Sequence, residues 1–205
     1  PMQLDAGGGG INVSKGIRKL GGSSTALFPS GGATGLRLQA LLQEAGVDIA
    51  VHPVPGETRE NFSVTELSTN LQYRFTMPGL EITEPQADAM LGMIARLQPA
   101  YLVASGSLPP GLPENYYEKL AAFSKTIDAR FILDTSGAAL QAAADEGLYL
   151  LKPNLGELSA LVGADKLEMN QVDDAALEII RQGKCEVVVV SLGPQGALLV
   201  TRDGF

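Results

Sequence analysis

Five short segments combine residue types that could grip an oxygen-rich ligand. Gly7-Gly8-Gly9-Gly10 runs into Ile11 and Asn12 at the head of an apolar, periodic stretch. A turn without Cβ atoms lets backbone N–H groups at a helix N-terminus come close to an anion or to sugar hydroxyls. A plain tight turn and a dinucleotide-binding glycine pattern are the competing readings, although the run does not match G-x-G-x-x-G with an acidic residue at the next strand end. Ser105-Gly106-Ser107-Leu108-Pro109-Pro110-Gly111 follows an apolar run. Ligands of open α/β sheets collect at strand carboxyl ends, where small hydroxyls can hydrogen-bond phosphate; a rigid connection explains the segment equally well.

Lys152-Pro153-Asn154 with Glu157 offers one cation, one amide and one carboxylate past another apolar run. These are groups that a magnesium nucleotide needs. Helix capping by Asn154, with Glu157 in the first turn, is the purely structural reading, and both roles can coexist. Ser191-Leu192-Gly193-Pro194-Gln195-Gly196 is a second glycine-bearing turn, able to expose N–H groups to a nucleotide or simply to close a hairpin. In Thr58-Arg59-Glu60-Asn61, a lone arginine is ordinarily a solvated charge, yet its planar fork suits phosphate.

Composition narrows the chemistry. With 205 residues, 45% hydrophobic and 19% charged, the chain reads as an ordinary globular domain and not as a disordered one. A formal charge of −8 without a Lys/Arg cluster argues against nucleic acid as a partner. Cys185 is the single cysteine, so neither an intramolecular disulfide nor a thiolate zinc cluster can form, and a reducing, cytoplasmic setting is expected. His52 is the single histidine and reads as a strand residue within the apolar stretch 47–54, which leaves little material for a catalytic triad or a multi-histidine metal site. No run approaches the roughly 20 apolar residues of a membrane span, so a membrane partner is not expected.

These segments need elements to position them. Candidate strands and amphipathic helices alternate through most of the chain, the pattern of βαβ units with a mainly parallel sheet. Helices are expected over 11–20, around Leu38 to Ala45 with Gly46 as a left-handed C-cap, over Ala87 to Leu97 with Ala87, Met90, Leu91, Ile94 and Leu97 as the buried face, and over 113–124, 138–146, 155–162 and 174–182. Thr83-Glu84-Pro85-Gln86 supplies the capping hydroxyl, the early proline and the Gln three residues on that satisfy free N–H groups at the start of one of them. Residues 61–76 alternate polar and apolar around Ser68-Thr69-Asn70, predicting an antiparallel hairpin inserted into the βα rhythm. Such an insertion reads as a flap or lid.

Taken together and in this order, the five segments resemble the PfkB family of ribokinase-like carbohydrate kinases. The Gly-Gly-Gly-Gly-Ile-Asn form is most similar to the 6-phosphofructokinase (isozyme 2) branch, with tagatose-6-phosphate kinases and 1-phosphofructokinases close behind. The resemblance implies an α/β fold, a ribokinase-like three-layer sandwich with a mainly parallel sheet, as a single domain over 1–205 with a lid hairpin at about 57–77. It also implies transfer of the γ-phosphoryl group of MgATP to fructose 6-phosphate, with ATP and Mg2+ as cofactors. Gly8, Gly9 and Asn12 would hold the sugar, and Arg59 and Ser107 its phosphate. Lys152, Asn154, Ser191, Gly193 and Gly196 would lie on the nucleotide side, with Glu157 organising magnesium. Pairing of lid hairpins between subunits would give a homodimer.

The family's catalytic aspartate belongs to a Gly-Ala-Gly-Asp motif that the sequence does not contain; it is expected beyond Phe205, as the family's first strand is expected before Pro1. The chain as written is therefore expected to turn over little substrate and to be of poor stability. A nicotinamide-dependent oxidoreductase leaves the Lys-Pro-Asn-x-x-Glu segment unexplained. A non-catalytic sugar-phosphate-binding protein is the alternative from a different class.

Overall fold

Glycine-stopped amphipathic stretches and Val/Leu-rich runs dictate alternating helices and strands, and the computed structural model describes them over residues 4–204. Pro1 and Phe205, where truncation was expected, lie outside the described residues. Two compact units emerge, one of residues 4–7, 11–93 and 109–112, the other of 8–10, 94–108 and 113–204.

In the first unit, α1 (Gly9–Lys19) enters from the glycine run, followed by β1 (Thr25–Ser30), α2 (Gly32–Glu44) and β2 (Asp48–Pro53). The helix α1 starts two positions before the predicted Ile11, so Gly9 and Gly10 already belong to its first turn. Strands β1 and β2 pair in parallel from Thr25↔Asp48 to Ser30↔Pro53. Between strands and helices sit Ala6, Ile11, Ala26, Phe28, Leu42 and Val47, flanked by Leu38, Leu41, Ile49 and Val51. The predicted stop of α2 at Gly46 is realised: its φ is +67°, and its N–H donates to the Gln43 carbonyl.

Strands β3 (Phe62–Glu66) and β4 (Leu71–Phe75) form the expected antiparallel hairpin, with Phe62↔Phe75, Val64↔Tyr73 and Glu66↔Leu71 in register. Side chains alternate across a strand. One face therefore carries Phe62, Val64, Leu71, Tyr73 and Phe75 with Glu66 at the turn end, and the other Ser63, Thr65, Gln72 and Arg74. All ten residues are exposed.

α3 (Glu84–Leu97) contains the boundary between the units. At its start Gln86 Oε1 accepts both the Thr83 N–H and the Thr83 hydroxyl, so the glutamine three residues on plays its expected part in the cap. Leu97, predicted on the buried face, is instead 46% exposed at the last turn.

The second unit contains β5 (Tyr101–Ser105), α4 (Tyr116–Thr126), β6 (Arg130–Asp134), α5 (Gly137–Asp145), β7 (Leu148–Leu151), α6 (Leu155–Leu161), α7 (Val172–Arg181), β8 (Cys185–Ser191) and β9 (Ala197–Val200). The strands make one sheet in the order β5-β6-β7-β8-β9, parallel except for the antiparallel β9. Phe131, Leu133, Leu148, Leu151, Val188 and Val190 are buried in it, matching the near-continuous apolar runs that a helix-covered parallel sheet requires. Cys185 packs among them as a small hydrophobe, and burial pushes its thiol up to about 12.

Candidate functional site

Parallel strands of matched register bring their carboxyl ends to one edge, and in the second unit that edge gathers most of the polar segments. β5 ends at Ser105, paired with Asp134 at the end of β6. The Gly106 N–H donates to the Asp134 carbonyl (2.8 Å), and the Ser105 hydroxyl donates to Asp134 Oδ2 (3.1 Å). The Gly106 carbonyl in turn accepts from the hydroxyls of Tyr117 (2.8 Å) and Thr135 (2.9 Å). Four groups thus fix the backbone leading into Ser107, which is exposed at the start of its loop. Gly9 abuts the same place: a Cβ there would drive into the Ser105 carbonyl and hydroxyl, so only glycine fits.

From Asp134 the edge continues to Lys152, whose Nζ lies 3.2 Å from Asp134 Oδ1, with side chains 42% and 36% exposed. Beyond it, α6 opens with a complete capping box. Asn154 Oδ1 accepts from the Glu157 N–H (2.9 Å), and Glu157 Oε2 accepts from the Asn154 N–H (2.8 Å). The capping reading of this segment is therefore realised, and a chelating role would have to coexist with it. Ser191, at the end of β8, bridges in parallel to Asn154 and donates its N–H to the Pro153 carbonyl (2.9 Å). After it the chain makes a short 3-10 turn over Gly193–Gln195, with φ of +58° at Gly193 and +94° at Gly196.

Lys152, Asn154, Glu157 and Ser191 therefore stand together at the edge, Ser107 and Gly9 adjoin Ser105 two strands away, and Gly8 precedes them. Asn12 and Arg59 belong to the first unit, both exposed, Arg59 at the root of the hairpin beside Gly79. Among the described residues no group of three or more His, Cys, Asp or Glu side chains could hold a metal by itself. A magnesium ion on Glu157 would depend on substrate phosphates and water for its remaining ligands, the usual arrangement for that ion.

Asp134, Thr135 and Tyr117 were not singled out from the sequence. Asp134 and Thr135 close an apolar run next to Ser136-Gly137, the same strand-then-small-residue signal that marked Ser105, and could have been found by it. Tyr117 gives no such signal.

An α/β sheet with hydroxyl, amide and cationic groups along its carboxyl edge is of the class that binds phosphates and nucleotides there. The profile of the pfkB family carbohydrate kinases matches residues 2–205. The chain is 48% identical over 202 residues to the ATP-dependent 6-phosphofructokinase isozyme 2 of Mycobacterium tuberculosis, covering 98% of this chain and 59% of that protein. Against the 1-phosphofructokinase of Xanthomonas campestris pv. campestris it is 38% identical over 208 residues, covering 98% and 65%. The crystal structure of phosphofructokinase-2 from Escherichia coli in complex with fructose-6-phosphate superposes with a TM-score of 0.91 at 44% identity, over 97% of this chain and 66% of that one. The chain belongs to the pfkB family of carbohydrate kinases and has its ribokinase-like α/β fold. It spans about three fifths of the length of the first of these relatives.

Proposed function

We propose that the protein carrying this chain is an ATP-dependent 6-phosphofructokinase, transferring the γ-phosphoryl group of MgATP to fructose 6-phosphate to give fructose 1,6-bisphosphate in the cytoplasm. The observation that carries this reading is the row Ser105, Asp134, Lys152, Asn154/Glu157 and Ser191 along one sheet edge, in a chain nearly half identical to a protein named for that reaction. Phosphoryl transfer asks a protein mainly for in-line positioning and for neutralisation of phosphate charge.

In this reading Gly8, Gly9 and Asn12 hold the sugar, and Arg59 and Ser107 hold its phosphate. Lys152 offsets charge on the nucleotide, while Asn154, Ser191, Gly193 and Gly196 line its side of the site. The Glu157 carboxylate, with Oε2 committed to the cap, retains a second oxygen to hold a hydrated magnesium, which neutralises phosphate charge when bound. In this reading proton abstraction falls to the aspartate of the family's Gly-Ala-Gly-Asp motif, while the residues named above bind and position. The apolar hairpin face supports assembly as a homodimer.

A coupled assay on the protein with fructose 6-phosphate, tagatose 6-phosphate and fructose 1-phosphate tests the reading. Fructose 6-phosphate is expected to give the highest kcat/KM. Preference for fructose 1-phosphate would move the protein to the branch that the Xanthomonas relative represents, and failure to phosphorylate any of the three would reject the kinase reading.

A further inference from the structure

The start of α2 lacks a capping side chain of its own: Gly31 occupies the N-cap and offers none. The caps come from the root of the hairpin, 23 to 27 residues further along the chain. Glu57 receives two helix N–H groups, one on each carboxylate oxygen, from Ala33 and Thr34, each at 3.1 Å. Thr58 exchanges two bonds with Gly31: its Oγ1 accepts the Gly31 N–H (3.1 Å), and its own N–H donates to the Gly31 carbonyl (3.0 Å). Glu60 pairs with Arg37 on the second turn of α2 at 3.3 Å. Gly32 leaves room for this arrangement, because its φ is +66° and a Cβ there would enter the Glu57 carboxylate.

Ordinary capping would need only a Ser, Thr, Asp or Asn at position 31. A remote cap does something a local one cannot, which is to tie two distant segments together. Residues 57, 58 and 60 are all fastened to α2 or to the residue before it, and Arg59 stands between them with its guanidinium turned toward Gly79 at the other root of the hairpin. The two roots are joined in addition by the Met77 N–H, which donates to Asn61 Oδ1 at 3.1 Å. The helix amides hold the Glu57 carboxyl below its usual value, so it stays ionised at neutral pH.

We infer that Glu57 and Thr58 are positioning residues: by capping α2 from the hairpin root they fix the backbone leading into Arg59, which Glu60 holds on its other side, and aim its guanidinium at the substrate's phosphate. The inference rests on the kinase reading above. Its energetic logic is that an arginine held in one geometry loses less freedom on binding phosphate than one on a mobile strand entry.

The test is a double-mutant cycle on the protein, using Glu57→Ala, Arg59→Ala and the pair, with amide hydrogen exchange as a readout independent of turnover. Glu57→Ala is expected to raise KM for fructose 6-phosphate about tenfold while kcat and the KM for MgATP stay within about twofold, and to add less than about twofold once Arg59 is gone. Exchange should accelerate at Ala33, Thr34 and residues 58–60 and stay unchanged in β6 to β8. Glu57→Gln, which keeps one acceptor, should fall between. If Glu57→Ala does not fold, Thr58→Val removes the Gly31 acceptor alone and is expected to give the same selective rise in KM. Faster exchange with an unaltered sugar-phosphate KM, or equal effects with and without Arg59, would overturn the inference alone. Wild-type protein that binds no fructose 6-phosphate in calorimetry would overturn the 6-phosphofructokinase reading and this inference together.

Discussion

Tyr117 illustrates how one buried hydroxyl can serve a loop it does not belong to. It is 7% exposed, and its hydroxyl and that of Thr135 share the Gly106 carbonyl, holding the turn that presents Ser107. Burial, with smaller contributions from the neighbouring Tyr116 and Asp134 charges, pushes it from 10.0 up to about 12. The native state therefore favours the neutral phenol. Its contribution to stability is full below pH 10 and is lost as pH rises from 10 through about 12. Tyr117→Phe should cost about 1 kcal/mol at neutral pH, the ordinary worth of one such hydrogen bond. In urea titrations wild type should lose its advantage over the variant between pH 10 and 12; two curves that stay parallel across that window would contradict this account. Lys152 is the opposite case. Its pair with Asp134 is part-exposed and adds little stability, as solvent-screened pairs do.

At the scale of elements, the start of α6 separates structure from function within one motif. Glutamine serves at N3 of a capping box as glutamate does. Glu157→Gln should therefore leave the melting temperature within a degree or two of wild type, by order of magnitude from a cap worth about 1 kcal/mol that it retains. Loss of the carboxylate charge should raise the magnesium concentration needed for half-maximal activity. An unchanged magnesium dependence would assign Glu157 to the cap alone. This box, the glycine stop of α2 and the period-2 alternation of the hairpin were legible because each is a local pattern with a local cause. What could not be read locally was the pairing of Lys152 with Asp134, which depends on β6 and β7 being neighbours, and the cap on α2, supplied by a glutamate 24 residues away from Ala33. Leu97 was misjudged because helical periodicity assigns a face without saying where the covering layer ends.

At the scale of the whole molecule, the hairpin poses a question of partnership. A two-stranded ribbon is marginal in water by itself and gains stability from packing a hydrophobic face against something. Here Phe62, Val64, Leu71, Tyr73 and Phe75 are each between 48% and 55% exposed and share one face with Glu66 at its turn end, a mainly apolar patch of the kind that marks an interaction surface. An isologous two-fold contact with a second copy of the ribbon would cover it, placing the patch of each copy against that of the other. Such a contact would lie close in sequence to the proposed sugar-phosphate site, Phe62 being three residues from Arg59. Light scattering of the protein should then give twice the chain mass. Replacing the cross-strand pair Val64 and Tyr73 by glutamate would place four carboxylates in the contact and should halve that mass. Both side chains are solvent-facing within one chain, so the cost to each folded chain should stay near that of surface changes, about 0.5 kcal/mol apiece. The sugar-phosphate KM should rise with dissociation if the lid needs its partner to hold Arg59 in place. A wild-type monomer, or a double glutamate variant that stays dimeric, would remove the hairpin from the assembly.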